Sequence, residues 1–223
     1  MSENQRYLSL DVFRGMTVCF MIIVNTGGGP INYAPLLHAS WHGFTPTDLV
    51  FPSFLFAVGN AMAFSLHKYE LQGEGVFWRK TLKRTAIIFL LGFLMYWFPF
   101  FRPDESGEWA FKSITTTRIL GVLQRIAVCV AVVGLLAIHT RARTQWAVLG
   151  GLLLGYAALL LGADTLAPWL NPVSRVDTAL FAPFLYKYDA VTRLGHDPEG
   201  LLSTTGALAT TLLGLIAGRW LRA

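Results

Sequence analysis

Six apolar stretches, each close to the length of a membrane-crossing helix, fall within a chain of only 223 residues. A spanning helix takes about 20 mostly apolar residues. The stretches lie near residues 7–24, 49–66, 85–101, 119–138, 146–166 and 201–221. The chain is 54% hydrophobic and only 14% charged. Soluble domains carry about 25% charge, so too little is present here to coat a soluble bundle. The same numbers exclude disorder. The reading is an all-α, polytopic helical membrane protein: a single transmembrane domain over 1–223 with six transmembrane helices. The first stretch is interrupted by Asp11 and Arg14 and is followed by no small-x-small site, so it is not a signal peptide.

Lysine and arginine placement sets the orientation. Arg6 precedes the first span. Lys68, Arg79, Lys80, Lys83 and Arg84 lie between the second and third, Arg141 and Arg143 between the fourth and fifth, and Arg219 and Arg222 close the sixth. The segment Thr26–Asp48 has no Lys or Arg, and in Arg102–Arg118 the cations are offset by Asp104, Glu105 and Glu108. Both termini are therefore expected inside, with the loops that begin at Thr26, Arg102 and Ala167 outside. The last of these runs to Gly200 and is longer than a connector needs. Its aromatic residues, from Trp169 to Tyr188, favour a packed segment over a disordered one.

Ionisable residues within spans are costly and point to function. Asp11 and Arg14, three apart on one helix face, form either a structural ion pair or part of a site. Gln124 and Arg125 lie in the fourth span. Arg118 is seven residues before Arg125 on the same face, about 10 Å along the axis. These arginines either hold an anionic ligand or pair with carboxylates elsewhere. Asn25 precedes Gly27, Gly28 and Gly29 at the end of the first span, a permissive helix terminus. The densest polar run is His38-Ala39-Ser40-Trp41-His42-Gly43-Phe44-Thr45-Pro46-Thr47-Asp48. Thr45 as N-cap, Pro46 at the first helical position and Asp48 in the first turn suit the start of a helix. Two histidines and a tryptophan in a loop without Lys or Arg are not explained that way. Cys19 and Cys129 sit in apolar runs and suggest neither a disulfide framework nor a metal site.

The blocks Leu10-Asp11-Val12-Phe13-Arg14-Gly15, Val24-Asn25-Thr26-Gly27-Gly28-Gly29, His38-Ala39-Ser40-Trp41-His42-Gly43 with Asp48-Leu49-Val50-Phe51-Pro52, Gly121-Val122-Leu123-Gln124-Arg125-Ile126 and Asp197-Pro198-Glu199-Gly200-Leu201-Leu202 occur in this order. Together they resemble the heparan-α-glucosaminide N-acetyltransferase family of transmembrane acyltransferases. The resemblance implies transfer of an acetyl group from cytosolic acetyl-CoA to an amino sugar or glycan amine on the outer side of the membrane, without a metal. It implies that His38 is the active-site residue and Asn25 its partner. The lysosomal enzyme of the family has asparagine where this chain has His42. Candidate substrate- or donor-binding residues are Asp11, Arg14, Trp41, His42, Asp48, Gln124, Arg125, Asp197 and Glu199. The cluster Arg79–Arg84 serves either inside anchoring or attraction of the CoA phosphates.

Family members usually carry more spans than the six counted here. The resemblance therefore implies the N-terminal part of a longer protein, or a shortened form completed by a homo-oligomer or by further C-terminal helices. The other expected partners are membrane lipid and the acceptor glycan, with no nucleic acid, and the expected location is the plasma (inner) membrane.

The chemistry is consistent with an imidazole. An amine is mostly protonated at neutral pH and needs a base before it can attack a thioester. A histidine with an ordinary pKa of about 6.5 suits that task. The imidazole could instead carry the acetyl group itself. An Asn25 amide could donate to the developing oxyanion, a contact whose loss typically costs about 2.7–4 kcal/mol. The alternatives are a transporter or permease for a sugar-related solute, for which glycine-broken helices are also typical, and a non-catalytic truncated membrane protein.

Overall fold

The computed structural model describes residues 8–27, 33–70, 73–103 and 107–222. Arg6, Tyr7, Gly28, Gly29, Asp104 and Glu105 lie outside the described residues. The described chain is mostly helical, with seven α-helices: α1 (Leu8–Asn25), α2 (Pro46–Glu70), α3 (Glu74–Trp97), α4 (Val122–His139), α5 (Ala142–Leu161), α6 (Pro172–Phe181) and α7 (Thr204–Arg222). Two short antiparallel hairpins complete it, β1 (Phe101–Pro103) with β2 (Trp109–Phe111), and β3 (Lys187–Asp189) with β4 (Leu194–His196).

Among the described residues, four helices are long and apolar enough to cross a membrane: α1, α2 over Pro46–Leu66, α4 and α5. The third and sixth candidate spans coincide with α3 and α7, helices of 24 and 19 residues outside that set of four. Half of α3 carries the basic run Arg79–Arg84, and α7 is rich in Gly, Ala and Thr. Helix α3 also stops short of Phe101. Pro99 has no N–H to continue it and biases Phe98 away from helical geometry, and Phe98 is the extended C-cap.

The single domain expected over 1–223 is organised as two compact units, one holding α1, α2 and the part of α7 from Thr210, the other running from α3 to Ala209. In the first unit, Phe13 of α1 meets Phe56 of α2 edge-on at 6.3 Å. The outward residues of α1, among them Val12, Met16, Phe20 and Ile22, remain exposed, as expected of a surface facing lipid rather than water. Helix α7 approaches α2 backbone to backbone. A Cβ at Gly214 would lie 2.1 Å from the Phe56 carbonyl oxygen, and one at Gly59 would lie 1.9 Å from that of Thr211. Small residues that let backbones touch are the usual basis of helix packing where no hydrophobic gain is available.

In the second unit α3 and α4 form an antiparallel pair. Trp78 near the start of α3 stacks on His139 at the end of α4, with centroids 5.9 Å apart. At the other end Tyr96 covers Gly121, the N-cap of α4. The chain turns into α5 through Gln145, which is buried and donates to the carbonyls of Leu136 and Thr140. The segment 167–200 is packed. Asn171 caps α6 by accepting from Ser174 N at 2.9 Å. Thr178 of α6 donates to the carbonyl of Gly195 in β4.

Candidate functional site

The first unit brings two of the candidate residues into direct contact. A 3₁₀ turn, Ala34–Leu36, is tied to α2 by Thr47, whose hydroxyl donates to the Pro35 carbonyl at 3.0 Å. The loop that follows carries His38 back over the start of α2, and Gly43, at φ +130°, makes the turn that residues with a side chain resist. Asp48 stands in the first turn of α2. Its Oδ2 accepts from Thr45 N at 2.9 Å, from the Thr45 hydroxyl at 3.0 Å and from Ala39 N at 3.3 Å. Its Oδ1 lies 2.6 Å from His38 Nδ1.

The chemistry follows from that pairing. An ionised carboxylate only accepts hydrogen bonds, so Nδ1 carries the proton and donates it. In the neutral ring Nε2 then presents its lone pair. Asp48 thus selects a tautomer and steadies the imidazolium that would form on protonation, the arrangement by which a carboxylate supports a catalytic histidine. The His38 side chain is 67% exposed, so its ring can be reached from outside the helices.

Asn25 is placed differently. It is exposed at the end of α1, and its amide donates to the Met21 carbonyl of its own helix at 2.8 Å. Trp41 and His42 lie on the same loop as His38, their rings edge-on with centroids 6.4 Å apart. Asp11 and Arg14 sit on the first half of α1, both exposed, and the Arg14 carbonyl accepts from the buried Thr17 hydroxyl.

The second unit gathers the other candidates. Arg118, just before α4, reaches both carboxylates of the 197–200 turn. Its Nε donates to Asp197 Oδ2 at 3.0 Å, and its Nη2 reaches Asp197 Oδ1 and Glu199 Oε2. Nη1 donates to the Tyr96 hydroxyl at 3.0 Å, and the guanidinium lies over the rings of Tyr96 and Tyr186 at 5.1 and 4.8 Å. Asp197 is fully buried, and its remaining capacity is taken by Tyr186 N and Glu199 N. Burial works against the Arg118 charge, but hydrogen bonding and attraction from Asp197 and then Glu199 outweigh it and hold the guanidinium further into its protonated range. Arg125 holds the same turn from α4, donating to the Pro198 carbonyl at 2.6 Å and reaching the Ser203 hydroxyl. The Arg118–Arg125 stripe thus engages the 197–203 segment. Gln124 is fully buried against Gly92 of α3, and its side-chain amide has no hydrogen-bond partner among the described residues.

Sequence reading missed Asp177 and the two tyrosines. Asp177 is buried on α6, its Oδ1 accepts from Leu201 N at 2.8 Å, and a Cβ at Gly200 would strike its Oδ2. Burial pushes its carboxyl pKa up. A signal was available: Val173 and Asp177 are four apart on the inward face of a short amphipathic helix. Among the described residues no cluster of His, Cys, Asp or Glu is arranged to hold a metal ion.

Residues 6–185 match the family model described as heparan-alpha-glucosaminide N-acetyltransferase, catalytic. The human protein named heparan-alpha-glucosaminide N-acetyltransferase is 29% identical, over 96% of this chain and 38% of its own length. The mouse protein of the same name is 27% identical, over 98% of this chain and 39% of its own. The chain spans less than two fifths of the curated relatives it matches.

Proposed function

The chain belongs to the heparan-alpha-glucosaminide N-acetyltransferase family, and from that premise we propose that it is a multi-pass membrane acyltransferase whose working group is the His38 imidazole oriented by Asp48. The donor is acetyl-CoA on the inner side and the acceptor is an amino sugar or glycan amine on the outer side, with both termini inside and six spans across a plasma membrane. The observation that carries the reading is the 2.6 Å contact between His38 Nδ1 and Asp48 Oδ1, which leaves Nε2 as the basic atom at an exposed position.

The steps balance on that atom. The acceptor reaches the site as its free amine. Its nitrogen attacks the thioester carbonyl as Nε2 takes the amine proton, and Asp48 stabilises the resulting imidazolium. The tetrahedral intermediate collapses, the C–S bond breaks, and the CoA thiolate leaves and takes the proton from Nε2. The products are the acetamide and free CoA. Asn25 supplies the amide donor for the oxyanion once its side chain turns from Met21. In the first unit Trp41 and His42 serve the acceptor and Asp11 and Arg14 the inner approach; in the second unit Gln124 and Arg125 are the candidate donor contacts. In the second unit, Arg118 braces the 197–200 turn through the fully buried Asp197, and Glu199 is the carboxylate of that turn left to meet an acceptor.

Acetyl transfer in membranes, with labelled acetyl-CoA and glucosamine, tests this through Asp48→Asn. The amide favours the wrong tautomer at His38, and kcat is expected to fall at least about a hundredfold, the low end of what a positioned base contributes, while the protein still inserts. Wild-type turnover in Asp48→Asn would remove the pair from the mechanism. Recovery of acetylated His38 after acid quench would replace direct transfer by a two-step route through the same ring.

A further inference from the structure

Each strand of the β1–β2 hairpin alternates two faces. Phe101 pairs with Phe111, Pro103 with Trp109 and Arg102 with Ala110. One face of the ribbon is therefore Phe101, Pro103, Trp109 and Phe111, with the Trp109 indole N–H as its one polar side-chain group. The other carries Arg102 and Ala110. Trp109 is 75% exposed, and Phe101 and Phe111 are more than half exposed. Phe98, Pro99 and Phe100 extend the same surface and, with Phe101 and Trp109, enclose a shallow cavity of about 450 Å³.

Two-stranded hairpins are marginal in water on their own, yet this one is tied to the end of α3. Trp97 Nε1 donates to the Lys112 carbonyl at 2.9 Å, Lys112 N to the Phe100 carbonyl at 2.8 Å, and Lys112 Nζ to the Tyr96 carbonyl at 2.5 Å. The rings of Trp97 and Phe101 both meet Phe111 edge-on, at 5.2 and 5.4 Å.

We propose that this aromatic face lies in the headgroup–acyl boundary of the bilayer and anchors the end of α3 there. Three observations favour lipid as the occupant. The face continues the exposed apolar surface of α3, through Ile87, Leu90, Leu91, Met95 and Phe98. Exposed Lys80, Lys83 and Arg84 mark the opposite end of that surface, and at 1.5 Å per residue Phe98 lies about 21–27 Å from them along the helix, close to a bilayer core of about 30 Å. Tryptophan and other aromatic rings concentrate at that boundary. The Trp109 indole N–H is the one hydrogen-bonding side-chain group on the cavity walls, too few for a polyhydroxylated sugar.

The inference rests on residues 85–101 being a span, and the test separates the two. In the full chain, with Cys19→Ser and Cys129→Ala, single cysteines are introduced as Trp109→Cys, Arg102→Cys and Leu91→Cys, spin-labelled and reconstituted in phosphatidylcholine vesicles. Collision with oxygen against a water-soluble nickel chelate reports the surroundings of each label. Labels at positions 109 and 91 are expected to favour oxygen, and the label at 102 the chelate. Position 91 in lipid with position 109 in water would overturn the anchor and leave the span. Position 91 in water would overturn both. Dipolar broadening at 109 that vanishes on dilution with unlabelled chain would assign the face to a second copy and overturn the proposal. In the native sequence, Trp109→Phe should lower the share of fluorescence quenched by brominated lipid, and an unchanged share would also overturn it.

Discussion

Asp48 does two things with one carboxylate. Its Oδ2 closes the start of α2 by accepting from Thr45, and its Oδ1 holds His38. The first role was legible in the sequence, because Thr45, Pro46 and Asp48 stand at the spacing of a helix start. The second was not, because His38 lies ten residues upstream and only the folded loop brings it back. The same limit applies to Arg118. Its spacing to Arg125 could be read, but its partners lie some 80 residues away along the chain. Removing Arg118 strands a fully buried carboxylate, and breaking a buried pair from one side costs about 3–5 kcal/mol. Arg118→Ala is expected to lose that much stability in a denaturant titration in detergent, with less lost in an Arg118→Ala/Asp197→Asn double variant.

His196 carries a pH dependence of its own. Its Nδ1 lies 3.0 Å from the hydroxyl of the buried Ser174, and burial lowers its pKa. The folded protein therefore binds fewer protons here than the unfolded chain does just below the ordinary histidine pKa of about 6.5. Stability should rise with pH through that window and level off above it. His196→Asn should flatten this part of the profile in thermal melts between about pH 5 and 8. An unchanged slope would assign the dependence to another group.

At the scale of elements, α2 and α7 depend on the absence of side chains. Gly59 and Gly214 sit against main chain of the partner helix, so an added side chain there has no flexible neighbour to displace, and Gly218 lies against the Ala63 Cβ and the Asn60 carbonyl and side chain. Gly214→Val is expected to cost more than the 1–3 kcal/mol typical of overpacking and to raise protease sensitivity of α7, whereas Gly206→Ala, where a Cβ meets nothing within 4 Å, should be silent. The sixth apolar stretch could be read as rich in small residues. Which helix those residues would meet could not, since α2 and α7 are separated by most of the chain. The start of α2 was legible because Pro46 and its neighbours set it, whereas the end of α3 before Pro99 was overrun by a span read to Phe101 and the Asn171 cap of α6 went unread. The spans read at 119–138 and 146–166 also ran past the boundaries at Val122 and Leu161, the second across Gly162 and Asp164, which mark the helix end.

At the scale of the molecule, the sequence pattern and the folded chain agree on helices with apolar surfaces facing outward. Lysine and arginine placement supplies a direction that geometry without a bilayer does not. In the proposed orientation, drawn from the lysine and arginine placement, His38 faces the outer side and Arg79–Arg84 the inner side, which suits a reaction whose donor and acceptor occupy different compartments. The most direct test is acetyl transfer in sealed, oriented vesicles, with labelled acetyl-CoA on the basic side and an amino sugar on the other. The wild-type chain should acetylate the enclosed amine, and His38→Ala should insert normally and transfer nothing above background. Transfer by His38→Ala at the wild-type rate would contradict the account.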